Sequence, residues 1–193
     1  QLGQVHSAHK WRLSTGSEQR ISTEYFIRSR HRLNKFFSNE NYVAHGKTNS
    51  ITEFFVQKNI DQQKWILEPL INYQTNQSIR LSLALKLQSG KEILQNIKSN
   101  QREIRLDCTA NVLTKWSIRS SASLVQAFLN KDVNPWAEYS LLQGLRVGNN
   151  VLINANIDRI INANTILRLG YFARKSEGSK YIQTGNVQVL ASF

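Results

Sequence analysis

Few side chains in this chain are of a type and spacing that could do chemistry. His6 and His9 lie three apart near the start, and His31 and His45 follow at a distance. A metal centre needs several ligands converging on one point, and only the first pair is even suggestive. Cys108 stands between Leu106 and Ala110 with no base close by in sequence, so it reads as a small apolar residue rather than a nucleophile. Glu103, Asp107, Glu138 and Asp158 could supply carboxylates, but no spacing marks two of them as an acid/base pair. Gly144 and Gly148 lack the Gly-Lys-Ser/Thr ending of a phosphate loop, and no metalloprotease, serine-hydrolase or paired-cysteine motif occurs. The expectation is a protein that is not an enzyme and carries no cofactor and no metal.

Charge is the stronger chemical signal. Lys+Arg number 25 against 13 Asp+Glu, a formal +12, which raises the question of an anionic partner. The cations are spread along the chain rather than clustered, and no RNA-recognition or zinc-finger pattern accompanies them, so nucleic acid is an unlikely partner. What positions them is a period of two. From Gln77 to Gln88, Ile79, Leu81, Leu83, Leu85 and Leu87 alternate with Ser78, Arg80, Ser82 and Lys86. Ile104, Leu106, Cys108 and Ala110 then alternate with Glu103, Arg105, Asp107 and Thr109. Trp116, Ile118, Ala122, Leu124 and Phe128 alternate with Ser117, Arg119, Ser121 and Ser123. Val187, Val189, Ala191 and Phe193 close the chain in the same way. Strands place successive side chains on opposite faces, so each segment has one aliphatic and one wet face.

Weaker strands are expected at about 3–14, 20–30, 49–58, 64–74, 136–147, 151–161 and 165–175, giving about eleven in all. A short helical turn is expected within 31–48, where Leu33, Phe36 and Phe37 have helical spacing, and another within 89–100. With no composition break, residues 1–193 read as a single domain, an all-β antiparallel up-and-down (meander) sheet. An apolar content of 40% is too high for a disordered chain, and one cysteine excludes an internal disulfide framework. Nothing near Gln1 resembles a signal peptide, so the chain reads as a mature form or a piece of a longer one.

Alternation alone fits a soluble sandwich, a lipocalin-type barrel or a transmembrane barrel. Three features favour the last. The best segments run well past the ~5–6 residues usual in soluble strands, towards the ~9–11 a tilted membrane strand needs. Aromatic residues sit at segment ends: Trp65 and Tyr73, Trp116 and Phe128, and Trp136 with Tyr139, as in an interfacial belt. Arg80, Lys86, Arg105, Arg119, Arg146, Arg168 and Arg174 fall on the wet face and are assigned to a lumen. Ile79, Leu81, Leu83, Leu85, Leu87, Leu106, Ile118, Leu124, Val187 and Val189 are assigned to lipid. A cationic lumen favours an anionic solute or an acidic plug. The loop lengths do not alternate cleanly on this strand count, which counts against the barrel.

The terminal run ending at Phe193 resembles the closing-strand assembly signal of outer-membrane barrels, and that resemblance implies recognition by the barrel-insertion machinery. The stretches Tyr139–Asn149, Leu167–Gly178 and Val187–Phe193 together resemble the C-terminal barrel portion of large Bacteroidota-type outer-membrane proteins. The resemblance implies the C-terminal part of a longer barrel in the outer membrane of a Gram-negative bacterium. Its role would be a scaffold, a pore or a transport or secretion component, with membrane lipid as a partner. The alternatives are a soluble lipocalin-like barrel holding an apolar ligand and a basic nucleic-acid-binding β domain.

Overall fold

The structure, a computed structural model, describes residues 1–13, 16–53, 59–75, 78–112, 115–162 and 164–191. Ten strands follow one another: β1 Leu2–Leu13, β2 Gly16–Arg32, β3 Phe37–Thr52, β4 Ile60–Thr75, β5 Ile79–Glu92, β6 Ile97–Val112, β7 Trp116–Leu129, β8 Gly148–Asn162, β9 Thr165–Ser176 and β10 Ile182–Ala191. One helix, α1 Pro135–Leu141, lies between β7 and β8. Each strand pairs antiparallel with the next, in the order β1 to β10, so the fold is an all-β meander. β1 and β10 do not pair with each other, and the described sheet is open. Strand lengths run from 10 residues in β10 to 17 in β2, well past the ~5–6 usual in soluble strands.

Four sequence expectations change. The strand expected over 136–147 is a helix followed by a loop. Asn134 caps it, its side chain accepting a hydrogen bond from the Ala137 amide at 2.8 Å, and Pro135 opens the first turn. Ala137 and Leu141, four apart, form its buried stripe. The helical turn expected within 31–48 is a tight connection between two strands. The Asn34 carboxamide oxygen accepts from the amides of Phe36 and Phe37, each at 2.8 Å, so that β3 can begin at Phe37. The helical turn expected within 89–100 is likewise a hairpin turn. The Glu92 carboxylate accepts from the amides of Leu94 and Gln95, and Asn96 takes the left-handed φ of 53° that the turn needs. Finally, the strand expected at 49–58 is the end of β3 as far as Thr52, and 54–58 lie outside the described residues. The described strands therefore number ten rather than eleven.

With these corrections the connections sort by end. Residues 33–36, 76–78, 113–115 and 163–164 join strands at one end, where β1 begins and β10 finishes. Residues 14–15, 53–59, 93–96, 130–147 and 177–181 join them at the other. The first end thus carries only short turns, and the second carries the long connections, including α1. The lack of alternation came from reading 31–48 as a long connection, whereas β3 begins at Phe37 and the longer connection follows it at 53–59.

The sheet has no conventional hydrophobic core. Its largest fully buried side chains are Ile97, Leu141, Leu142, Glu92, Asn150 and Ser99, all where α1 and the following loop fold onto the long-loop end of the wall. Gln101 donates from its side chain to the Leu141 carbonyl at 3.3 Å, and Arg174 donates to the Gly144 carbonyl at 3.0 Å.

Candidate functional site: the two faces of the wall

In an antiparallel pair, residues directly opposite one another point to the same face. The register therefore tests the face assignment across strands. One row reads Ile79, Ala110, Ile118, Ile157, Leu169 and Val187 from β5 to β10. Another reads Leu85, Ile104, Leu124 and Val151, and a third joins Leu83 to Leu106. Leu81 pairs with Cys108, Leu87 with Leu67, and Val189 with Leu167. All ten residues assigned to lipid thus share one face. On the other face Arg80 lies opposite Thr109, which lies opposite Arg119, and Lys86 faces Glu103. Ala84 faces Arg105, Asp158 faces Arg168, and Leu152 faces Arg174. Arg146 is the exception: it sits in the loop before β8, where its guanidinium donates to Ser179 at 3.3 Å.

Burial separates the two faces. Along β5 the aliphatic side chains Ile79 to Leu87 are 37% to 52% exposed, while Ser82, Ala84 and Gln88 between them are 8%, 1% and 4% exposed. A flat sheet with nothing on either side would expose both faces alike. The buried polar face is therefore the inside of a curl, and the leucines project from the convex side. A soluble barrel with an apolar interior places these faces the other way round.

The inner face is held by polar contacts that reach across strands. The Arg105 guanidinium bonds Glu68 at 2.6 Å and Asp107 at 3.0 Å, with Glu103 at 3.6 Å. Lys64 lies 3.1 Å from Glu24, which also accepts from the Tyr42 hydroxyl. Asp158 receives Arg168 at 2.8 Å and Arg119 at 2.9 Å. Glu40 lies between Arg28 at 3.4 Å and Arg30 at 3.6 Å. Ser82 donates to the Asn72 side chain at 2.6 Å. The sequence did not reveal Glu68, Glu24 or Lys64 as partners, because they lie on strands whose alternation is diluted by Pro69 and by polar residues on both faces. Glu138, another of the four candidate carboxylates, instead accepts from the Val147 amide at 3.0 Å and staples the loop after α1.

The outer face carries aromatic residues at two levels. Tyr73 packs with Phe37 (centroids 5.0 Å apart) and Trp116 lies under the Arg159 guanidinium (4.8 Å), both near the short turns. Trp65 packs with His45 at 4.4 Å, and Phe128 is exposed, both towards the long-loop end. Trp136 and Tyr139 are exposed on α1 at that end rather than on a strand. The rise from Trp65 to Tyr73 spans roughly 20 Å of depth at ~40° tilt, within a ~25 Å apolar band. The band is continuous over β4–β10. It narrows over β1–β3, whose outer face includes His6, Thr23, Ser29, Asn41 and Lys47. His6 and His9 point to opposite faces of β1. His6 bonds Thr23 at 3.0 Å and His9 stacks on Trp11, so the pair does not converge. Phe193 lies outside the described residues.

No family model matches the chain, and no curated protein matches it. Solved structures do. The outer-membrane expressed OmpT of Vibrio cholerae superposes with a TM-score of 0.56 at 8% identity, over 87% of this chain and 53% of that one. The chain thus spans about half the length of that protein. The translocator domain of the autotransporter NalP from Neisseria meningitidis gives 0.45 at 8% identity, over 97% of this chain and 72% of that one. The β domain of the Bordetella autotransporter BrkA gives 0.46 at 8%, over 97% and 82%. The fold of this chain is that of an outer-membrane β-barrel wall.

Proposed function

We propose that the chain forms part of a transmembrane β-barrel in a Gram-negative outer membrane, in a protein of the Bacteroidota type. Its part there is passive, as a scaffold, pore or transport or secretion component, without a catalytic step. One observation carries the reading: the aliphatic rows of β5–β10 project outward while the charged and amide side chains face the inside of the curl. An outward aliphatic row gains from hydrocarbon what it would lose in water, and inward arginines keep a hydrated surface and carboxylate partners. The short turns belong on the periplasmic side and the long connections outside, following the usual asymmetry of such barrels. Further strands complete the ring. The open edges at β1 and β10, and a span of about half of a structurally similar chain, support that.

The test is paired. Leu83→Arg places a cation on the outward face, at a cost of ~2–4 kcal/mol near mid-membrane, and should abolish insertion of the full-length protein into outer-membrane vesicles. Ser82→Arg places the same group on the inner face and should leave heat-modifiable, membrane-inserted protein. Equal tolerance of both would refute the proposal.

A further inference from the structure

The inner face is not uniform in charge along the barrel axis. Several inner cations have carboxylate partners: Lys64 has Glu24, Arg105 has Glu68 and Asp107, and Arg119 and Arg168 share Asp158. Glu18, Glu53, Glu92, Glu138 and Glu177 all stand near the long-loop end. Near the short-turn mouth the balance breaks. Arg30, Arg32, Lys35 and Arg80 border a cavity of about 560 Å³ formed by the β2–β3 turn and the adjoining ends of β4 and β5. Only Arg30 has a carboxylate within reach, Glu40 at 3.6 Å, and Glu40 is shared with Arg28. Arg32 donates to the Asn34 carbonyl at 3.3 Å, Arg80 meets the Gln74 side-chain oxygen at 3.5 Å, and the Lys35 ammonium lies 5.0 Å from the centre of the Phe36 ring. Among the described residues, no acidic side chain pairs with Arg32, Lys35 or Arg80.

From this juxtaposition we infer that the short-turn mouth of the lumen is a binding site for a small phosphate-bearing anion. Arg30, Arg32 and Arg80 come from β2 and β5 and converge on one cavity, and Lys35 adds a fourth charge from the turn. A guanidinium presents its donors as a fork that matches tetrahedral oxyanions. The cavity has the size of a small-molecule pocket rather than of a macromolecular groove. Its charges are like-signed and uncompensated, so an arriving anion relieves repulsion as well as forming hydrogen bonds. The inference rests on the reading of this face as the lumen and names what that lumen holds.

The probe is inorganic phosphate, titrated into the full-length protein in detergent micelles and followed by 31P line broadening. Broadening should saturate, weaken as chloride is raised, and fall about tenfold in apparent affinity in an Arg32→Glu, Arg80→Glu variant. Lys98→Glu, on the outer face near the long loops, should leave it unchanged. The milder Arg80→Gln guards against misfolding of the double variant and should weaken binding in the same direction. Equal broadening in all variants overturns the site, as does a Glu-rich peptide that displaces phosphate at far lower concentration. A planar-bilayer recording separates this inference from the pore role. Phosphate binding without conductance leaves the site standing and removes the pore. Conductance that phosphate neither blocks nor accompanies by binding removes the site.

Discussion

Arg105 shows how single residues hold this wall together. Its guanidinium is half-buried among Glu68, Glu103 and Asp107, on a face where neutral groups such as Ser82 and Asn72 already bond to each other. Removing one member of a partly buried charge cluster leaves the rest uncompensated, which costs more than the pair contributes. Glu68→Ala should therefore lower the denaturation midpoint of the folded barrel by the equivalent of about 2–4 kcal/mol, whereas Glu40→Ala, whose arginine partners are largely exposed, should cost under ~1 kcal/mol. Urea titration followed by gel mobility distinguishes the two, and similar midpoints would contradict the ranking. These pairings were only half legible in the sequence. Period two places Arg105 and Asp107 on one face without further information, because residues two apart share a face. Glu68 needs the β4–β5–β6 register, which no local pattern encodes.

At the scale of elements, the sequence was most readable where alternation is undiluted. β5, β6 and β7 were read to within a few residues, and each extends beyond the expected segment by running into its turn. The misreadings have a common cause. At 31–48 and 89–100, aliphatic and aromatic residues at helical spacing masked an Asn34 or Glu92 side chain that closes a tight turn on backbone amides. At 136–147, the signal for a helix is the Asn134-Pro135 start, which an expectation built on period two does not register. The helix matters because it seals Leu141 and Leu142 against the long-loop end of the wall. Leu141→Ala together with Leu142→Ala should cost several kcal/mol of local packing, at about 2–5 per site. The expected outcome is limited proteolysis that nicks 130–147 while the strands remain protected. Unchanged protease resistance would show that the loop is held by its hydrogen bonds alone.

At the scale of the molecule, the sorting of connections gives the wall a direction. Short turns gather at the end where the inner cations are least compensated, and long connections at the end where the glutamates lie. A single cysteine introduced at Asn164, in a Cys108→Ser background, should be shielded from an impermeant maleimide on intact cells, and one at Ser179 should be labelled. The reverse pattern would invert the orientation. The outer face of β1–β3 includes polar residues at mid-strand, among them Thr23 and Asn41, whereas on β4–β10 the outer cations Lys91, Lys98, Arg102, Arg159 and Lys175 lie towards the strand ends and aliphatic rows fill the middle.

The central claim is that the aliphatic rows touch hydrocarbon and the charged rows touch water. Its most direct measurement is nitroxide scanning of residues 81–86 in the full-length protein reconstituted in lipid, with accessibility to oxygen and to a water-soluble nickel complex read at each position. Oxygen accessibility should peak at 81, 83 and 85, and nickel accessibility at 82, 84 and 86. A flat profile, or one with the two phases exchanged, would contradict the account.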